Sequence, residues 1–210
     1  DGATATGAGA VADGVYATAT GMEAIASGQQ ATAAGFRSEA SGDLSSTYGA
    51  YAFAAGRGSS ALGYSSDATG DYATAVGAWA EASGTSSTAV GESSIASGAE
   101  SVALGGMADD AYATQAVAFG ATALGAGAWG IGDVSTAVGW NSFAYGTASL
   151  AVGEGTFAFG VGASAVGAES AAYGDLSTAL GALAAADADN SVALGAASVA
   201  DRANTVSVGS

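Results

Sequence analysis

Small and larger side chains alternate along this chain with a period of two, set inside a period of seven. Glycine closes each seven-residue unit, fifteen times in succession from Gly7 to Gly105. The phase then slips, resumes at Gly125, and runs through 132, 139, 146, 153, 160, 167, 174 and 181 to Gly195 and Gly209. With that glycine numbered position seven, position five is nearly always Ala and position three is usually Ala, Ser or Thr, as in Ser87-Thr-Ala-Val-Gly91 and Ser177-Thr-Ala-Leu-Gly181. Strand side chains alternate between faces, so positions three, five and seven share one uniformly small face and positions four and six form the other. A helix is excluded because each interior glycine would cost about 1 kcal/mol. A coiled coil is excluded because two positions per heptad would have to be large and apolar.

The units alternate in kind, so the true period is fourteen. One kind carries Val or Leu at position six: Leu62, Val76, Val90, Leu104, Val138, Val152, Val166, Leu180, Leu194 and Val208. The other carries Ser27, Ser41, Ala55, Thr69, Ser83 and Ser97 there, and later Tyr145, Phe159 and Tyr173. Each coil is expected to hold two short strands, and the chain to form an all-β parallel β-roll, a β-solenoid of about fifteen coils. Coils paired about 4.8 Å apart would stack to roughly 70 Å. Ala and Gly are expected to fill the thin space between the sheets, with the unit-end glycine supplying the tight turn. A row of ten Val and Leu side chains left in water is an aggregation hazard, whereas each contributes about 1.5–3 kcal/mol when buried. The row is therefore expected to face an axis in an obligate oligomer.

Composition narrows the function. Gly is 35 of 210 residues, Pro, Cys and His are absent, and the three basic residues are Arg37, Arg57 and Arg202. A net charge of −16 leaves no basic patch to displace counterions, so nucleic acid is not an expected partner, and anionic membranes are disfavoured. Like charge keeps such a particle dispersed. No apolar run approaches the roughly 18 residues of a spanning helix. Asp1 in place of a starting Met is expected of a fragment or a processed chain. The chain reads as one domain over residues 1–210, with an irregular insertion near 106–120.

Two coils, Ser101-Val-Ala-Leu-Gly105 and Ser191-Val-Ala-Leu-Gly195, and the closing stretch Asn190 to Ser210 resemble the head domain of trimeric autotransporter adhesins of the YadA type. The resemblance spans essentially the whole chain. It implies a left-handed roll, a homotrimeric head, last head coils at 189–210 leading into a neck, and a stalk and outer-membrane β-barrel anchor beyond it. It implies adhesion to host matrix, cells or other surfaces from the bacterial cell surface. The Ala-rich, acidic, lysine-free composition departs from many such heads, and similar repeats occur in phage tail fibres. A structural spacer and a phage fibre module are the alternatives.

No other chemistry stands out. Without His or Cys the usual nucleophile pairs cannot form, and no enzymatic activity, cofactor or metal is expected. Asp13, Asp43, Asp71, Asp133, Asp175 and Asp189 lie near unit boundaries, where Asp bonds locally in turns, and they lack the spacing of a repeat calcium motif. Asp109-Asp110 reads as a solvated turn. Thr4-Ala-Thr6 and Thr18-Ala-Thr20 form Thr pairs that do not persist along the chain. Trp129, Phe143 and Phe157, and beside them Ile131, Tyr145, Phe159 and Tyr173, recur every fourteen residues. They read as cross-strand ladders worth about 0.2–1 kcal/mol per pair, or as an exposed patch for a partner. The first half has little of this, Phe53 standing nearly alone. The slip between Gly105 and Gly125 points to Gly106–Ala111 as an inserted loop, functional or neutral.

Overall fold

The computed structural model describes residues 2–106 and 113–209. It contains two compact units, Asp1–Glu100 and Ser101–Ser210. Both are parallel β-solenoids with no helix among the described residues. In the first unit seven three-residue strands, Thr4–Thr6 through Thr88–Val90, form a wide sheet, and seven two-residue strands, Val11–Ala12 through Ile95–Ala96, form a narrow one. In the second unit the wide sheet runs from Val102–Leu104 to Val206–Val208 and the narrow sheet from Gln115–Ala116 to Val199–Ala200. That makes about fourteen coils. Register is one coil per rung: Thr74, Ala75 and Val76 lie opposite Thr88, Ala89 and Val90. The slip is absorbed in one step, since Val102 lies opposite Thr122, and Thr122 opposite Thr136. Thr114–Gly120 already follow regular coil geometry, with Gln115 opposite Trp129.

The core is thin and made of the smallest side chains. Ala61, Ala75 and Ala89 of the wide sheet and Ala54, Ala68, Ala82 and Ala96 of the narrow sheet are fully buried. Position three adds Ser more than Gly. On the narrow sheet Ser38, Ser66 and Ser94 donate to the glycine carbonyl three residues back at 2.9–3.2 Å, which satisfies a hydroxyl that would be costly to bury alone. The glycines lie at the edges instead.

Their role is in part the expected one: after the wide strands the unit-end glycine holds a φ that L-residues rarely adopt, 141° at Gly63 and 133° at Gly77. Most turns are closed by a hydrogen bond to the glycine carbonyl from the N–H three residues on, as from Ala17 to Gly14 at 3.0 Å. The left-handed residue of that turn is position two of the next unit, and it is mostly not glycine: Tyr16 has φ 59°, Tyr72 58°, Trp79 55° and Leu176 56°. Such a conformation costs about 1–2 kcal/mol for an L-residue. It is held because its N–H bonds to the coil before, Trp79 to the Tyr64 carbonyl at 3.0 Å and Leu176 to that of Val161 at 2.8 Å. At the ends of the narrow strands, as at Gly84 and Gly146, φ is not positive and glycine is required for another reason. A Cβ on Gly84 would lie 2.0 Å from the carbonyl oxygen of Gly98, and one on Gly146 would lie 1.9 Å from that of Gly160. The column is a backbone-to-backbone contact between successive coils, with no room for a methyl group.

Candidate functional site

Positions four and six point outward on both sheets, and the structure gives each sheet a different surface. On the narrow sheet of the second unit the six expected aromatics come together as two adjoining columns. Phe143 and Phe157 stack at 5.1 Å, and Tyr145, Phe159 and Tyr173 stack at 4.7 and 5.3 Å, with neighbouring planes within 11° of parallel. The columns touch through Phe143–Tyr145 and Phe157–Phe159 at about 6 Å. Trp129 meets Phe143 at 67° rather than stacking, and its indole N–H donates to the Ala113 carbonyl at 3.0 Å. Stacking covers the ring faces, so the strip presents ring edges and two tyrosine hydroxyls. Tyr145, Phe159 and Tyr173 are 36%, 40% and 50% exposed.

On the wide sheet of the first unit Leu62, Val76 and Val90 form one continuous column. In the second unit the column runs Leu104, Leu124, Val138, Val152, Val166, Leu180, Leu194, Val208. Leu124 belongs to it as well, hidden from the fourteen-residue spacing by the slip although it directly precedes Gly125. Leu62, Leu104, Leu180 and Leu194 are exposed, as is Leu124, while Val76, Val90, Val138, Val152 and Val166 are half-buried.

A second aromatic run also went unread. In the first unit Phe36, Tyr51, Tyr64 and Trp79 occupy successive turns after the wide strands and meet edge to face at 5.2–5.7 Å. The rings alternate between positions one and two of the turn, so their spacing is 15, 13 and 15 residues. A search at a strict fourteen passes over it.

Four of the six boundary aspartates also find a use. Asp43 accepts the Gln29 N–H at 2.9 Å, Asp71 that of Arg57 at 2.9 Å, Asp175 that of Val161 at 2.8 Å, and Asp189 that of Asp175 at 2.9 Å. These bonds join one coil to the next rather than closing the local turn. No group of three or more acidic residues among those described is arranged to hold a metal ion. Asp109, Asp110 and the rest of the candidate loop after Gly106 lie outside the described residues.

Among the described residues Asp67 is the one carboxyl with a clear shift. Burial, and secondarily the facing Glu81, raise it above the ordinary carboxylate range, and one of its oxygens is buried without a partner. Between its unfolded and raised folded values the folded chain holds the extra proton, so stability falls as pH rises through that window and stays lower at neutral pH. Asp67→Asn is therefore expected to raise the melting temperature at pH 7 by about 1–3 °C and to flatten its pH dependence in the mildly acidic range. Identical melting curves for parent and variant across that range would sink the assignment.

Eight stretches of the chain match the family described as YadA head domain repeat (2 copies): residues 1–24, 26–47, 54–78, 82–106, 131–156, 144–170, 172–198 and 186–210. No curated protein matches the chain.

Proposed function

The chain belongs to the family of YadA head domain repeats, and from that premise we propose that it is the non-catalytic head of a trimeric, outer-membrane-anchored adhesin that attaches to host matrix, cells or other surfaces through the aromatic strip of its second unit. The strip is the observation that supports this reading. Six aromatic side chains are gathered on one outward sheet face, and three of them are 36–50% exposed. Soluble proteins seldom leave so large an apolar patch in water without a use. Ring edges suit broad apolar surfaces better than face-stacking ligands. Three copies on a trimer would act together, each weak contact raising the local concentration of the next.

The Val and Leu columns on the opposite sheet give the trimer a surface to close on. The two faces divide the work: the wide sheets hold the subunits together and the narrow sheets meet the partner. Replacing Tyr145, Phe159 and Tyr173 with Thr keeps strand propensity and removes the rings. Binding to surfaces and cells is expected to drop at least tenfold while the subunit stoichiometry and β-signal are retained. Adhesion that survives while the assembly falls apart would mean that the rings are covered by a neighbouring subunit and that the site lies elsewhere.

A further inference from the structure

The edge-to-face ladder of the first unit carries acid at both of its ends, and the ends differ in one respect. At the start, the Arg37 guanidinium lies 5.1 Å over the Phe36 ring and pairs with the Glu23 carboxylate at 2.5 Å. Ring and cation are neighbours in one turn there, and the carboxylate comes from the coil before. At the other end Tyr64 and Trp79 meet at 5.5 Å and 79°. Glu92 follows them, standing to Trp79 in the same turn register in which Tyr64 stands to Tyr51. Tyr64, Trp79 and Glu92 are all exposed, and Glu92 makes no ion pair among the described residues. The far end thus repeats the parts of the first with the cation missing.

We infer that the Tyr64–Trp79–Glu92 corner is a docking site for an arginine side chain of a basic polypeptide partner. Three considerations select this occupant. An edge-to-face contact leaves ring face uncovered, and a guanidinium is the side chain that both stacks on such a face and pairs with a carboxylate. The chain already demonstrates the fit with its own Arg37. A net charge of −16 with three arginines in all favours approach of a basic partner. The site lies in the first unit and stands whether or not the second unit's strip is adhesive.

The test uses the full chain and a capped tetra-arginine peptide, with tetra-lysine as the equal-charge comparator. The indole N–H signals of Trp79, Trp129 and Trp140 are followed by NMR, and affinity is measured by calorimetry. The expected result is a saturable shift of the Trp79 signal alone, with tetra-lysine binding several-fold more weakly. Tyr64→Ser with Trp79→Asn, the latter tolerant of the left-handed turn, should weaken tetra-arginine binding about fivefold or more, and Glu92→Gln about threefold. Absence of binding, equal affinity for the two peptides, or equal movement of all three indoles would overturn the proposal. So would unchanged affinity in the Tyr64/Trp79 variant, because any of these outcomes leaves only diffuse charge attraction.

Discussion

Gly146→Ala is expected to destabilise the second unit by about 3 kcal/mol, lowering its melting temperature by roughly 6–12 °C. The new methyl group would lie 1.9 Å from the Gly160 carbonyl oxygen and 2.8 Å from that of Phe159. Both are backbone atoms of the next coil, fixed by the ladder, so no rotamer change can relieve the clash. Relief requires the coils to part, which weakens several hydrogen bonds at once. Gly155→Ala is the matched control. Gly155 has φ 59°, but a Cβ there would meet nothing closer than the Glu169 Cγ at 3.6 Å, and Ala148 already holds the same conformation at φ 56°. Its cost should stay near 1 kcal/mol. Ala118 and Ala188 show that the column tolerates a methyl in the outermost turns of the second unit, where fewer coils must adjust. Denaturation of the two variants followed by circular dichroism would decide the point, and equal losses would mean that conformation rather than coil contact explains the glycine column.

In the proposed trimer, Val90→Asp combined with Val152→Asp is expected to leave single chains or aggregates. Both valines are half-buried within their columns. In a closed interface each would be fully desolvated, and an unpaired carboxylate there costs about 3–5 kcal/mol. The proposed threefold symmetry would repeat that cost in every subunit. Light scattering reads the outcome directly. A parent chain that is stable and folded as a monomer would remove the need for any axis.

The sequence carried the coil, the two strands within it and the direction of every outward side chain, because small residues at positions three and five leave one way to pack. Ala75 and Ala89 are buried and opposite each other for the reason their spacing predicts. The Val and Leu columns and the strip around Phe157 were legible on the same ground. What escaped notice was whatever breaks strict periodicity or depends on the rise between coils. Leu124 was hidden by the slip. The Phe36–Trp79 ladder was hidden by its zigzag between turn positions. The second role of glycine was not legible, because sequence shows that a small residue is needed without showing whether φ, as at Gly77, or a neighbour's carbonyl, as at Gly84, demands it. The aspartates were read as local for the same reason, since the partner of Asp71 is fourteen residues away at Arg57.

The rung-by-rung register has a consequence for how such a chain can change length. Removing or duplicating fourteen residues returns every side chain to the column it left, so a recombination event between two coils yields another foldable head. Removing seven would bring a wide-strand unit into the narrow sheet and carry the Val and Leu column to the opposite surface, splitting both the apolar seam and the aromatic strip. Length can therefore drift among descendants in steps of one coil while the sidedness of the surface is inherited unchanged, and a change in reach need not bring a change in what is gripped.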